Sequence, residues 1–306
     1  MDETHQPLVS VITPSLNQGE FIEDNLLSVR KQEYPEVEHL VIDGGSIDNT
    51  TSILKEYQNQ YRLLWTSEPD QGHAHAVNKG LTRASGEIIG WLNSDDTYFS
   101  TDVFSRVVST FADRRDVDVL YGDIAFISRE SRLLMVRCVP QCFSYRRLLR
   151  GCFISQPAVF LRRKVVERFH LDPAVKLAVD YEYWLRTSLV FRFCHLPGIL
   201  AADRYYQDRR MVTNSEVLDM ENQCLREKYR QGKGCFPSLI QGLDRILTGV
   251  PRRLLGLIKL GSIYQQEQFA FPLRLDPWEN AVLRQLNFFR RYYYLGGLDT
   301  RKKGED

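Results

Sequence analysis

Short apolar runs and amphipathic stretches alternate along the first hundred residues of the chain. Val9-Ser10-Val11-Ile12-Thr13 predicts a strand that stops at Pro14-Ser15-Leu16-Asn17, because proline cannot donate to a ladder. From Gly19 to Arg30, Phe21, Ile22, Leu26 and Val29 share one side of a predicted helix. Val37 to Ile42 predicts a second strand, ending at Asp43-Gly44-Gly45-Ser46, and Asp48 or Ser46 can cap a helix running through Tyr57. Leu63-Leu64-Trp65 predicts a third strand, the small residues after Gly72 a helix through Leu81, and Ile88 to Leu92 a fourth strand. This β-α-β-α-β-α-β order predicts an α/β fold with a mostly parallel sheet and helices on both faces.

Beyond Asp96 the pattern changes. Val117 to Tyr121 predicts a strand, and Ile124–Ile127 and Leu133–Val136, separated by Ser128-Arg129-Glu130-Ser131, predict an antiparallel hairpin at the sheet's edge. Arg146 to Arg150 reads as a short basic helix, and Gln156-Pro157-Ala158-Val159-Phe160 as a further strand entering the cleft. Val179 to Arg186 starts a helix with Asp180 in its first turn. From Asn214 the chain reads helical and more basic. Phe236, Leu239, Ile240, Leu243, Ile246, Leu247 and Val250 recur at helical spacing, flanked by Arg245, Arg252, Arg253 and Lys259. Two readings of 236–260 stand: a helix docked on the main domain, or an interfacial helix making peripheral contact with anionic lipid.

The chain has 306 residues, 43% hydrophobic and 26% charged, enough for one large α/β domain and an appendage. A net charge of +1 gives no electrostatic case for nucleic acid as a partner. The six cysteines form no CxxC pair and no zinc spacing, which predicts reduced thiols in a reducing compartment. Met1 to Pro7 is polar, and no run of about 18 apolar residues occurs, so neither a signal peptide nor a transmembrane helix is expected, and the cytoplasm is the predicted location. The absence of GxGxxG after the first strand and of GxxxxGK[ST] argues against a dinucleotide-binding dehydrogenase and a P-loop enzyme.

The chemistry gathers at strand ends. Trp91-Leu92-Asn93-Ser94-Asp95-Asp96 puts two adjacent carboxylates after the fourth strand, where open α/β sheets bind ligands. Their repulsion is relieved by a hard cation such as Mg²⁺ or Mn²⁺, which takes one or two carboxylates plus substrate phosphates; a solvated turn capping the next helix is the alternative. Asp43 stands at the equivalent end of the second strand, before glycines that let a ligand approach the backbone. Two such sites on one sheet define a polar cleft suited to a phosphate-bearing ligand with a metal. Asp180 reads either as a cap and dipole partner of its helix or as a general base in that cleft.

Taken in order, Val9 to Pro14, Asp43-Gly44-Gly45-Ser46 with Asp48, Glu68-Pro69-Asp70-Gln71-Gly72, Asn78-Lys79-Gly80, Gly86-Glu87, Trp91 to Asp96, Gln156-Pro157-Ala158 and Asp180 to Arg186 resemble the family 2 glycosyltransferases of the GT-A fold. The resemblance covers residues 8 to about 205. It implies a catalytic domain over 1–210, with a nucleotide-sugar half at 8–98 and an acceptor half at 99–210, and a mainly helical extension over 211–306. It implies an inverting, metal-assisted transfer from a nucleoside diphosphate sugar, UDP-linked, to a saccharide or lipid-linked acceptor in polysaccharide or glycoconjugate synthesis, at the inner face of the membrane if the acceptor is lipid-linked. By resemblance, Asp43 bonds the base, Pro14 and Asn17 line the nucleoside pocket, and Gly45, Asp70 and Asn78 belong to the donor site. Asp95 faces the ribose or donor sugar, Asp96 ligates Mg²⁺ or Mn²⁺, Asp180 is the catalytic base, and Gln156, Trp184 and Arg186 lie on the acceptor side. Two positions depart from the family: Asn93 stands where Asp is usual, and Arg204-Tyr205-Tyr206 replaces Arg-x-His. Two other classes compete. A nucleotidyltransferase needs a basic phosphate loop that Pro14 to Gly19 lacks, and a catalytically silent sugar-nucleotide-binding protein draws support from the two departures.

Overall fold

The computed structural model describes residues 6–230, 256–264, 269–277, 280–282 and 285. The first half follows the apolar periodicity. Strands β1 (Val9–Ser15), β2 (Val37–Asp43), β3 (Leu63–Ser67) and β4 (Ile88–Trp91) are parallel, in spatial order β3-β2-β1-β4. They are joined by helices α1 (Ile22–Arg30), α2 (Thr50–Tyr57) and α3 (His73–Arg83). Strand β1 continues two residues beyond its predicted end at Thr13, through Pro14 and Ser15. Ser15 accepts from Gly44 on the β2 side, whereas Leu8 and Ile12 accept from Ile88 and Leu92 on the β4 side. Alternation therefore turns the amide position of Pro14 toward β4, where the ladder has already ended at Ile12 and Trp91, so no hydrogen bond is lost. Helix α3 lies close to β1 because Gly80 faces Ile12; a Cβ there would strike the Ile12 side chain.

The second half extends the same sheet. Strand β6 (Val119–Ile127) is flanked by β8 (Val159–Arg162), antiparallel, and β9 (Phe193–Arg204), parallel. β8 also pairs antiparallel with β4, and the two-residue β5 (Thr97–Tyr98) pairs with β9. The full order is β3-β2-β1-β4-β8-β6-β9-β5, with β7 (Leu133–Arg137) paired to β6. The predicted hairpin therefore exists, but its first arm lies inside the sheet rather than at its edge. Gly122-Asp123 does not end the strand either. The chain runs through it with a register shift against β9, and Gly122 leaves room for Leu200. Gln156–Ala158 forms a buried 3-10 turn, and only the following residues form the strand.

The remaining helices are α4 (Val103–Asp113), α5 (Tyr145–Leu148), α6 (Arg163–Arg168), α7 (Val179–Thr187), α8 (Arg210–Thr213) and α9 (Ser215–Arg230). One core joins α3 and α7 to the sheet through Ile12, Val77, Tyr121, Val179 and Trp184; another packs α4 through Phe104 and Val107 against Phe160 and Leu200. In the described part of the C-terminal region, Leu260, Ile263, Phe271 and Ala281 pack on Phe99, Ile127, Leu133 and Ile199. Of the predicted amphipathic stretch at 236–260, residues 236–255 lie outside the described residues, and Leu260 is buried in this core. No helix among the described residues is long and apolar enough to cross a membrane.

Candidate functional site

The loops after β1 and β2 are laced together. Asn17, at φ 52°, donates its backbone N–H to Ser46 Oγ (2.7 Å) and accepts from Ile47 N–H at its side-chain oxygen (2.9 Å). Gly19 N–H donates to Asp48 (2.9 Å), which also accepts from the Thr50 amide at the start of α2 (3.0 Å). Asp43 closes the second loop. Its carboxylate is fully buried and accepts from Gly45 N–H (3.2 Å), Ser46 N–H (2.9 Å), Ser46 Oγ (2.5 Å) and Ser67 Oγ (2.6 Å). Both oxygens are used within the protein. Pro14 is likewise buried inside β1.

The turn after β4 is fixed from several sides. Asn25 of α1 donates to the Asn93 and Asp96 carbonyls (2.9 and 3.0 Å), and Gln156 donates to the Trp91 carbonyl. The unusual Asn93 accepts from the Trp91 indole (3.1 Å), so its side chain holds the preceding aromatic. Asp96 is wholly buried. One oxygen accepts from Arg204 N–H (3.1 Å), and the other, Oδ2, has no hydrogen-bond partner. Burial, then the charges of Asp95 and Asp203, raise its pKa well above the usual carboxylate range. Asp95 keeps limited solvent access and accepts from the Tyr206 hydroxyl (3.1 Å).

Two residues not singled out from the sequence complete this centre. Asp203 near the end of β9 and Arg209 in the following loop form an ion pair. The Arg209 guanidinium also lies 3.4 Å from Asp95 and 3.6 Å from Asp96. Burial opposes the charge on Arg209, yet Asp203, Asp95 and Asp96 hold it protonated. The signal for Asp203 was an acid at the close of a strand, hidden because the run containing Pro197-Gly198 does not look like one. Among the described residues, no three His, Cys, Asp or Glu side chains form a complete metal cage. The donor set does fit a hard cation that takes one or two carboxylates and finishes its shell with substrate phosphate, since a buried carboxylate oxygen is left without a partner.

Asp180 opens the first turn of α7, half-buried. Burial raises its pKa to about 6, the backbone amides of its own turn oppose the rise, and the charge of Asp203 adds to it. Asp203 thus acts electrostatically on both Asp96 and Asp180. The segment leading into α7 is held by Glu221 of α9, which accepts from Lys176, Leu177 and Ala178 N–H at 3.0, 2.8 and 2.9 Å. His73 opens α3 with its ring 5.5 Å from that of Trp91 and within the fields of Asp95 and Asp70; burial pushes its pKa down to about 4, so it is neutral.

Other predicted site residues lie elsewhere. Trp184 follows Asp180 by one helical turn on the same side of α7, but its ring is buried in the core and so does not line an acceptor face. Arg186 is tied to Glu182 (2.8 Å) and to the His170 carbonyl (2.8 Å), beside the Phe169 ring. Asn78 exchanges two hydrogen bonds with the Leu171 backbone (3.0 and 2.9 Å), a tether rather than a free donor contact. Gln156 is buried under Trp91, with its Oε1 unpartnered.

The sequence profile of Glycosyl transferase family 2 matches residues 10–166. The chain belongs to this family. This glycosyltransferase is 35% identical over 190 residues to an uncharacterized glycosyltransferase of Mycobacterium tuberculosis, covering 61% of this chain and 71% of that one. It is 33% identical over 178 residues to the UDP-Glc:alpha-D-GlcNAc-diphosphoundecaprenol beta-1,3-glucosyltransferase WfgD of Escherichia coli, covering 58% and 68%. Its fold is that of Staphylococcus aureus TarS 1–349, solved with UDP-GlcNAc, at a TM-score of 0.57 and 18% identity, covering 93% of this chain and 90% of that one. The mannosyltransferase PcManGT of Pyrobaculum calidifontis, solved with GDP-Man and Mn²⁺, gives 0.57 at 17% identity, covering 98% and 89%. The glycosyltransferase thus has an α/β fold of the GT-A kind.

Proposed function

We propose that this glycosyltransferase moves a sugar from a UDP-sugar to an acceptor hydroxyl with inversion at the anomeric carbon, using Asp180 as general base. The reading is supported chiefly by the position of Asp203, whose charge reaches both Asp96 and Asp180. The donor's diphosphate would lie against the first group and the acceptor hydroxyl against the second. Asp96, with Asp95, would hold Mg²⁺ or Mn²⁺, which when bound supplies positive charge to the leaving diphosphate.

Asp180 takes the proton from the acceptor oxygen as that oxygen attacks from the face opposite the diphosphate, the logic of single displacement. A pKa near 6 keeps it ionised at neutral pH while leaving it basic enough to accept a proton. Tyr206 and Arg209 orient Asp95 and offset its charge. Residues 8–98 form the donor half and 99–210 the acceptor half, followed by a mainly helical extension from 211 whose α9 carries Glu221. WfgD is named for a UDP-glucose donor and an acceptor on diphosphoundecaprenol. We carry over the classes: a UDP-hexose, and a saccharide on a polyprenyl diphosphate, reached at the cytoplasmic face of a membrane.

The test is transfer from a panel of UDP-sugars to a synthetic lipid-diphosphate saccharide, with and without Mn²⁺. Transfer by the wild type and its loss in Asp180→Asn, with UDP binding retained, is the expected result. Equal turnover of the two proteins sinks the assignment of the base.

A further inference from the structure

The resemblance gives the nucleobase to Asp43, whose hydrogen bonds lie within the protein. Asp43 has no unused oxygen: it is fully buried and accepts four hydrogen bonds from its own turn and from Ser67. The next residue, Gly44, lacks a side chain, and the space a Cβ would need is taken by another acid. Asp70 Oδ2 lies 2.7 Å from that point, and Leu16 Cδ1 lies 3.4 Å from it. Leu16, Gly44 and Asp70 follow β1, β2 and β3, so three adjacent strand ends meet at one spot on the carboxyl edge of the sheet, where α/β folds bind nucleotides. Leu16 is 52% exposed there, an apolar surface offered to solvent at the rim.

Asp70 is also pre-aimed. Its Oδ1 accepts from Gly72 N–H (2.7 Å), and Gly72 sits at φ 113°, a turn that glycine makes without strain. Its Oδ2 has no donor among the described residues, and Asp70 is only partly buried. One fixed carboxylate with one free oxygen suits a base that presents a single imino N–H.

We propose that Asp70, admitted by Gly44, is the residue that selects the donor's nucleobase, accepting the N3–H of a uracil ring packed over Leu16. This rests on the donor site proposed above and specifies the residue that reads its base. Uracil offers one N–H between two carbonyls. Guanine presents N1–H and an amino group side by side and is best met by both oxygens of a carboxylate, one of which is occupied here. Cytosine turns an unprotonated N3 toward the carboxylate and is repelled. Asp43 is a positioning residue that shapes the turn and leaves Gly44 beneath Asp70.

The test is calorimetric titration of the full chain with UDP, GDP and CDP in the presence of Mn²⁺, comparing wild type, Asp70→Asn, Gly44→Ala and Asp43→Asn. Wild type should prefer UDP. Asp70→Asn should weaken UDP by about 10- to 100-fold, the loss of a hydrogen bond to a charged acceptor, and should narrow or invert the UDP to CDP ratio, because an amide can donate to cytosine N3. Gly44→Ala, whose methyl group displaces the Asp70 carboxylate, should weaken UDP in the same direction. Asp43→Asn should instead lower the melting temperature, since an amide nitrogen cannot accept the bonds of the turn. If Asp70→Asn leaves both UDP affinity and the UDP to CDP ratio unchanged while the wild type binds UDP, the Asp70 assignment falls and the donor site stands. A wild type that prefers GDP overturns the uracil selection. A wild type that binds no nucleoside diphosphate overturns this inference together with the proposed function.

Discussion

Replacing Asp180 by Asn should make the protein inactive and more stable at once. A folded-state pKa of about 6 against an ordinary 3.8 means that the native fold binds the proton of Asp180 more tightly than the unfolded chain does. Stability contributed by this group is therefore greatest at low pH, falls as pH rises from about 4 to about 6, and is level above that. At 1.36 kcal/mol per pH unit the loss approaches about 3 kcal/mol at pH 8. An amide has the same shape and no charge to desolvate, so the variant escapes the penalty. With about 2.1 cal/mol/K of unfolding entropy per residue, a 306-residue chain gains at most about 5 °C. Partial solvent access of Asp180 trims this to about 2–5 °C. Thermal unfolding at pH 8 and pH 4 reads the effect, which should be present at the first and absent at the second. Turnover should fall by about 10²–10⁴, the usual contribution of a general base, and the wild-type rate should decline below about pH 6. A variant that gains nothing at pH 8, or gains equally at both pH values, shows that this carboxylate is not desolvated, and the derivation of its basicity collapses.

Glu221→Ala removes the acceptor for three backbone amides ahead of α7 and should cost about 1–3 kcal/mol in urea denaturation, with a lower kcat at unchanged UDP affinity because Asp180 loses its fixed position. Arg209→Gln strips the guanidinium from Asp95, Asp96 and Asp203; chemical denaturation at pH 8 should show a loss of about 3–5 kcal/mol, partly restored in Arg209→Lys. Gly80→Ala drives a methyl into Ile12 and should lower stability by about 1–3 kcal/mol, despite alanine's better helix propensity; a stabilised variant would show that α3 has room to move from β1.

The donor half was legible because each of its strands is a short apolar run closed by glycine, proline or asparagine, and each helix has one apolar side. The acceptor half was less so. β9 carries Pro197-Gly198 in its middle, with Gly198 at φ 111° and a register shift nearby, so its period is broken where the chain nonetheless stays in the sheet. Gly122-Asp123 looks like a turn for the same local reason, and only the neighbouring Leu200 shows why a glycine is needed inside a strand. Asp43, Asp95 and Asp96 could be placed at strand ends from sequence, but not their hydrogen bonds. That Asp43 is saturated depends on Ser67, 24 residues away. The centre formed by Asp203 and Arg209 depends on a loop more than 100 residues beyond Asp95. Trp184 lies one turn from Asp180 on the same side of α7, and only its packing against the core shows that its ring is not offered to an acceptor.

The continuity of the sheet bears on protein engineering. β4 is hydrogen-bonded to β8, and β8 to β6, with Ile88 opposite Arg162 and Val119 opposite Leu161. The proposed sugar-nucleotide module and the remainder of the enzyme are therefore sewn along a common seam rather than joined by a flexible tether. A chimaera that transplants residues 8–98 from another member of the family must reproduce the edge that β4 presents to β8, or the graft will not take.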